Sequence, residues 1–390
     1  MNRISRTVWV LSLVSLFTDA ASEMLYPVMP LYLKSIGFSI VLIGVLEGLA
    51  EAVAGLSKGY FGKLSDHSGR RLPFVQWGYM LSAVSKPLMA VFIAPLWVFF
   101  VRSIDRLGKG LRTGARDAML SEEATPQTKG KIFGFHRSMD TMGAVAGPVI
   151  ALMYLHWNPG NYTMLFIIAF IPGVIAIACT FMLKDKHENP LHVKDSVSFF
   201  SFLHYWKTSP VLYKKLVWGL LLFALINSSD VFLLLKAREA GFSDVQVIGM
   251  YIFYNLIYAI FAFPVGMMAD RFGLKRIFII GIFLFGVVYA GMAFADKEYL
   301  FYALFFLYGL YAASTEGISK AWISNITDKK DTATAIGTYT GFQSIAAMLA
   351  SSFAGWIWYQ FGSAVVFLVS AAVAIAVMLY ISTIPFRKYV

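Results

Sequence analysis

Asp19 and Glu23 stand one helical turn apart inside the apolar run SLFTDAASEMLYPVMPLYL, and Glu47 and Glu51 repeat that spacing in GVLEGLAEAVAG. A carboxylate removed from water without a partner is costly. Two acids one turn apart also disfavour each other's ionised form, which suits them to proton exchange. Charges of both signs follow: Lys86 just before Pro87, Arg102, Asp105 and Arg106 in RSIDRLGKGLRTGARDAML, and His136, Arg137 and Asp140 in GFHRSMDTMGAVAGPVIAL. Groups of these types in apolar surroundings must pair with one another or face a wet cavity, where they can move a proton or hold a charged solute.

The elements that position them are set by composition. The chain has 390 residues, 58% of them apolar and 14% charged, with a mean hydropathy of +0.67. A soluble domain of this length needs more charge on its surface, so the apolar excess requires lipid. About twelve apolar segments are long enough to cross a hydrocarbon core of about 30 Å. They run over 8–33, 40–62, 73–93, 95–119, 131–155 and 163–183, then 216–236, 244–268, 275–295, 298–323, 333–358 and 364–385. Counting depth along these spans puts Asp19 and Glu23 near the middle of the first, with Glu47 and Glu51 at similar depth in the second. Arg102, Asp105 and Arg106 lie too deep to snorkel, whereas Arg112 and Arg116 read as a solvated cytoplasmic end. Depth alone offers Arg112–Asp140 or Asp105–Arg137 as pairs. The plainer roles are helix pairing or gating for Arg137 and Asp140, and packing for His136.

The net charge of +11 does not point to nucleic acid. With the N-terminus inside, cytoplasmic loops and tails hold about twenty Lys and Arg against about four outside, as the positive-inside rule requires. MNRISR precedes a segment too long and too acidic for a cleaved signal, so it reads as the start of a retained first helix. A single cysteine, Cys179, excludes an internal disulfide and a multi-cysteine metal site. HExxH and phosphate-cradling glycine loops are missing, which argues against an intramembrane metalloenzyme and an ATP-driven pump. The stretch from Lys184 to Lys215 reads as a linker, with a short interfacial helix near SFFSFLHYW.

An internal repeat lies on either side of that linker. GKLSDHSGRR follows the second span and GMMADRFGLKR the eighth, placing Asp66 and Asp270 204 positions apart, as are the glycines of the two GFS turns, Gly37 and Gly241. The expected domains are therefore an N-terminal six-helix bundle over 1–183, a linker over 184–215 and a C-terminal six-helix bundle over 216–390. Parallel repeats of this kind place a substrate path between halves near the midplane.

Gly62, Leu64, Asp66, Gly69, Arg70 and Arg71 resemble the loop signature of the major facilitator superfamily, and Gly266, Asp270, Gly273, Lys275 and Arg276 resemble its weaker second copy. The resemblance implies an all-α integral membrane fold of twelve helices in two pseudo-symmetric bundles. It also implies that Asp66 locks against the start of the eleventh helix, here DTATAIG, when the cytoplasmic side is shut. In the fifth span, Gly134, Gly143, Gly147 and Pro148 are similar to a motif of drug–proton antiporters, with Ala151 and Leu152 where paired glycines often end it. Small residues let helices approach closely, and Gly-Pro bends them. Arg106 with Gly110 loosely resembles the fourth-helix arginine motif, with Arg102 as a rival.

The second half is less charged. Asn227, Ser228, Ser229 and Asp230 in the seventh span, Tyr251, Tyr254, Asn255 and Tyr258 in the eighth, Glu316 and Lys320 in the tenth and Gln343 in the eleventh complete the candidates. A charged wall opposite a polar-aromatic one suits an amphiphilic or zwitterionic organic solute. The expectation is a secondary transporter exporting a small organic metabolite, siderophore-like compound or drug against protons. The alternative is a proton-coupled importer of a small polar or zwitterionic solute. No cofactor is expected beyond the proton gradient, and no metal. The partners are the small-molecule substrate, protons and the lipid bilayer. The expected setting is a monomer in the bacterial cytoplasmic membrane with both termini cytoplasmic.

Overall fold

The computed structural model describes residues 4–26, 28–29, 32–33, 36–38, 40–185 and 201–385, with backbone alone at 40–52, 201–203 and 244. Fourteen α-helices are found among the described residues. The first six are α1 (Arg6–Leu25), α2 (Ile40–Ser68), α3 (Leu72–Leu88), α4 (Pro95–Glu122), α5 (Lys129–Trp157) and α6 (Tyr162–Thr180). A short amphipathic α7 (Ser201–Thr208) precedes α8 (Val211–Ala224), α9 (Val231–Glu239), α10 (Asp244–Phe272), α11 (Leu274–Phe294), α12 (Glu298–Ile326), α13 (Thr332–Phe361) and α14 (Ser363–Thr383). The all-α fold with a core of twelve spans agrees with the expectation. Among the described residues, six helices are long and apolar enough to cross a membrane by length and composition alone.

Two spans depart from the hydropathy reading. The first apolar segment is interrupted rather than continuous: α1 ends at Leu25, Pro27 follows in the sequence with a missing N–H and a ring that oppose continuation, and Met29, Tyr32 and Leu33 are helical again. The seventh is two helices, α8 and α9, separated by non-helical backbone over Leu225–Asp230. Asn227, Ser228, Ser229 and Asp230 compete with the helical ladder for backbone hydrogen bonds. Ser229 does so directly: its Oγ accepts the Val231 N–H at 3.4 Å.

The chain separates into two compact units. One comprises Met1–Glu123, Met139–Thr208 and Thr327–Ser344; the other comprises Ala124–Ser138, Ser209–Ile326 and Ile345–Val390. Each unit thus takes in one helix start from the other half of the sequence: α13 begins in the first unit, α5 in the second. Within the first, α4 packs along α2 and α3, while α6 packs along α1 and α3. Within the second, α12 packs along α10 and α11, and α14 along α11. Apolar side chains such as Ile171 on α6, Phe283 on α11 and Leu379 on α14 face outward, as lipid contact demands.

The repeat is written into the backbone. Among the described residues every positive φ falls on a glycine, and the six fall into pairs: Gly37 (91°) with Gly241 (93°), Gly69 (64°) with Gly273 (102°), and Gly160 (76°) with Gly362 (85°). Each pair occupies corresponding turns in the two halves, where an L side chain would meet steric resistance. At the first pair, the Phe38 N–H donates to the Leu33 carbonyl at 3.0 Å and the Phe242 N–H to the Ala237 carbonyl at 3.3 Å. These six-residue closures satisfy carbonyls that a helix end leaves open.

Candidate functional site: charged latches and buried ion pairs

Asp66 stands four residues past the end of the second apolar span, near the C-terminus of α2. Its Oδ2 accepts the Thr334 N–H and the Thr334 hydroxyl, both at 2.7 Å, and its Oδ1 accepts the Ala333 N–H at 3.3 Å. The first N–H groups of a helix lack partners inside it and carry the positive end of its dipole, so a carboxylate completes the start of α13. Gly62 makes the approach possible: a Cβ there would stand 2.5 Å from the Ala333 carbonyl oxygen. Burial pushes the Asp66 carboxyl up to about 7, against the opposing pull of Arg71 and the donors of residues 333 and 334.

Arg71 lies 3.3 Å from Asp66, forms a 2.7 Å ion pair with Glu122 at the end of α4, and donates to the Lys329 carbonyl at 3.2 Å. The paired arginines of the motif therefore divide their work, because Arg70 is exposed while Arg71 is buried. Gly69 supplies the left-handed turn between α2 and α3.

The second copy repeats this geometry. Asp270 accepts the Gly130 and Lys131 N–H groups, both at 2.7 Å, at the start of α5. A Cβ on Gly266 would meet the Gly130 carbonyl oxygen at 2.3 Å. Arg276 is exposed, and Lys275 donates to the Ser382 and Ile384 carbonyls at 2.6 Å.

Deeper in the first unit, Arg112 and Arg116 are buried rather than solvated, at 6% and 8% exposure. Their helix turns them inward, where polar partners wait. Arg112 donates to Ser82 Oγ at 2.6 Å and lies 4.6 Å over the Tyr79 ring. Arg116 holds Asp117 through Nε at 3.0 Å and Nη2 at 2.9 Å, and its Nη1 reaches Ser15 Oγ at 3.3 Å. Ser15 in turn donates to Asp140. Neither pair offered by depth describes these contacts: Asp140 is reached through Ser15, and Asp105 pairs with Lys86 at 2.7 Å with Arg102 at 3.9 Å. Depth fixes a residue's level along a helix and leaves its azimuth open. Arg106 lies partly buried on the same helix and contributes to the field at Asp105.

Asp19 and Glu23 are half-buried on α1, beside the crossing with α5. A Cβ on Gly143 would stand 2.2 Å from the Leu16 carbonyl oxygen and 3.1 Å from Asp19 Cβ. One on Gly147 would stand 2.5 Å from the Ala20 carbonyl oxygen and 3.0 Å from the Glu23 carbonyl carbon. The glycines of the antiporter-like motif, with Pro148 next in line, thus set α5 against the stretch of α1 that carries both acids. Glu47 and Glu51 lie on α2, with side chains outside the described residues. His136 is buried at 3% exposure.

In the second unit Arg137 donates to Glu316 at 2.7 Å, joining α5 to α12. Asp230, at the helix break, accepts the Tyr254 hydroxyl at 2.5 Å and the Tyr308 hydroxyl at 2.6 Å. Asn227 and Gln343 are half-buried. Sequence reasoning missed Ser15, Asp117 and Tyr308. Asp117 had a signal, since an acid directly after Arg116 in TGARDAML follows a run of small residues that permits close packing.

A helical bundle whose repeated charged turns each cap a helix start, with ion pairs buried among apolar spans, defines a polytopic membrane carrier. The profile of the Major Facilitator Superfamily matches residues 11–254 and 230–389. The chain belongs to that superfamily, whose members are transporters and not enzymes. An uncharacterised MFS-type transporter of Methanocaldococcus jannaschii is 30% identical over 361 residues, covering 91% of this chain and 89% of the relative. A multi-drug resistance efflux pump PmrA homolog of Lactococcus lactis subsp. lactis is 21% identical over 415 residues, covering 100% and 98%. Among solved structures, the human organic anion transporter MFSD10 superposes with a TM-score of 0.81 at 16% identity, covering 98% of this chain and all of that one.

Proposed function

We propose that this transporter exports a small organic compound in exchange for protons, as a monomer in the cytoplasmic membrane with both termini inside. The observation that carries the reading is the network Ser15–Asp140 and Arg116–Asp117, joined through Arg116 and Ser15, next to the α1–α5 crossing that bears Asp19 and Glu23. Acids and bases held at that depth are retained at a cost, which proton coupling explains and packing alone does not. The similarity to a multi-drug efflux pump over nearly the full length of both chains supports the outward direction. Alternating access then requires the Asp66 and Asp270 latches to be made and broken within each cycle.

The test is transport in vesicles of known orientation, using a panel of organic solutes and an imposed proton gradient. Accumulation in inverted vesicles acidified inside, lost on collapsing the gradient, is the expected result. Accumulation in right-side-out vesicles under an inward proton gradient refutes export and favours import. In inverted vesicles, Asp19→Asn is expected to abolish gradient-driven uptake while the protein remains folded.

A further inference from the structure

Around the break between α8 and α9, one acid meets a group of tyrosines that neither latch uses. We infer that this cluster recognises the positive charge of an organic cation, so that the cargo is a protonated amine or a quaternary onium compound. The inference rests on the transport reading above and names its substrate class.

The carboxylate of Asp230 has phenols for partners. Oδ1 accepts the Tyr308 hydroxyl and Oδ2 the Tyr254 hydroxyl, at 2.6 and 2.5 Å. A charged neighbour is Glu316, which is itself held by Arg137 at 2.7 Å. No Lys or Arg among the described residues pairs with Asp230, in contrast to Asp105 with Lys86 and Asp117 with Arg116. An acid at membrane depth without a fixed counter-charge is matched either by a proton or by a mobile cation. Two phenol bonds use about half of the lone-pair sites of a carboxylate, leaving acceptor positions open.

The surroundings favour an organic cation over a bare metal ion. Tyr254 and Tyr308 rings stand 5.2 Å apart, Tyr308 and Tyr311 5.1 Å, and Tyr251 and Tyr254 5.5 Å. Aromatic faces attract onium groups through the ring quadrupole, most strongly where water is excluded. Tyr308 and Tyr254 are buried at 2% and 7% exposure, so the wall is preformed, whereas Asp230 is half-buried between exposed Ser229 and Val231. The helix break fits the same role, since non-helical backbone at membrane depth occurs where it lines a cavity or is enclosed by protein, and discontinuous helices build the binding sites of many carriers.

The test is equilibrium binding to the purified full-length protein in lipid nanodiscs, without a gradient. The probes are tetraphenylphosphonium and tetraphenylborate, ions of similar shape and opposite charge. Wild type is expected to bind the phosphonium in preference to the borate. Asp230→Asn is expected to weaken phosphonium binding about tenfold, equivalent to ~1.4 kcal/mol, and Tyr308→Phe about threefold, with borate binding unchanged. Wild type that binds no phosphonium, or a folded Asp230→Asn variant that binds it as tightly as wild type, overturns the inference. So does an Asp230→Asn variant that loses proton coupling yet keeps its phosphonium affinity, because that outcome assigns the acid to the proton. Should Asp230→Asn fail to fold, Tyr254→Phe and Tyr308→Phe carry the test, and unchanged affinity in both overturns it. Since no gradient enters the measurement, a failure of the vesicle experiment leaves this result to be read separately.

Discussion

The two latches share a backbone geometry and differ in what surrounds it. Asp66 and Asp270 each bond a pair of N–H groups at a helix start, and each needs a glycine four residues earlier to bring the helices together. Only Asp66 also bonds a side chain of the helix it caps, Thr334, and has an arginine tied to a third helix through Glu122. The first latch is thus a network joining α2, α4 and α13, while the second is a two-helix contact. A network of buried charges loses more than the sum of its parts when one member is removed, because the remaining charges stay buried and unpaired.

The largest expected effect follows from that asymmetry. Asp66→Ala leaves two N–H groups and the Thr334 hydroxyl without their acceptor and removes one of the two carboxylates beside Arg71, which keeps Glu122; buried donors left unpaired cost about 1–3 kcal/mol each. Amide hydrogen exchange at 333–334 should accelerate by more than a hundredfold. Asp270→Ala loses two backbone hydrogen bonds and the attraction of Lys131, with no side-chain bond or arginine network behind them, so at about 1–3 kcal/mol for donors left buried exchange at 130–131 should accelerate less. Equal effects at the two sites would show that the arginine network adds nothing.

The glycines provide the next largest effect, and here the halves should behave alike. Gly62→Ala and Gly266→Ala put a Cβ 2.5 and 2.3 Å from a backbone oxygen, so helices must separate, at about 1–3 kcal/mol by the usual cost of overpacking. Thermal unfolding in detergent should fall for both. If Gly62→Ala is neutral while Gly266→Ala is not, the shared geometry is not a shared constraint.

The acid–base behaviour of the first latch sharpens the comparison further. Docking raises the Asp66 carboxyl to about 7 because burial outweighs its donors. A carboxyl whose value rises on docking binds its proton more tightly when docked. The resulting stabilisation is complete below the ordinary carboxylate range and fades as pH climbs through about 7. Protection at 333–334, corrected for intrinsic exchange, should therefore be greater at pH 5 than at pH 8. Asp66→Asn should flatten that dependence. Protection that instead increases with pH would mean that Arg71 and the helix start dominate the carboxylate.

How much of this was legible depends on what each signal encodes. The resemblance of Asp66 and its neighbouring glycines to the superfamily's loop signature implied the first latch nearly whole, with the Thr-rich DTATAIG as its matching helix start. The partner of Asp270 was not legible, since nothing in KGKIFGF distinguishes its backbone N–H groups as ligands. Arg112 and Arg116 were placed in solvent because depth along α4 was known and rotation about its axis was not. The seventh span looked continuous because hydropathy averages over a window, while Asn227, Ser228, Ser229 and Asp230 act bond by bond. The same averaging hid the meeting of Asp230 with Tyr308, which are remote in sequence and share no motif.

The smallest expected effect separates the two arginines of the signature. Arg70 and Arg71 are adjacent and chemically identical, so composition gives them equal weight. The structure buries Arg71 among Asp66, Glu122 and the Lys329 carbonyl and leaves Arg70 in solvent. Isolated exposed charges contribute little because water and salt screen them. Arg70→Gln should therefore leave unfolding temperature and exchange at 333–334 within error of wild type, while Arg71→Gln approaches Asp66→Ala. A clear exchange effect from Arg70→Gln would place that side chain in the latch and make the motif a true pair, erasing much of the contrast with the single-acid latch at Asp270.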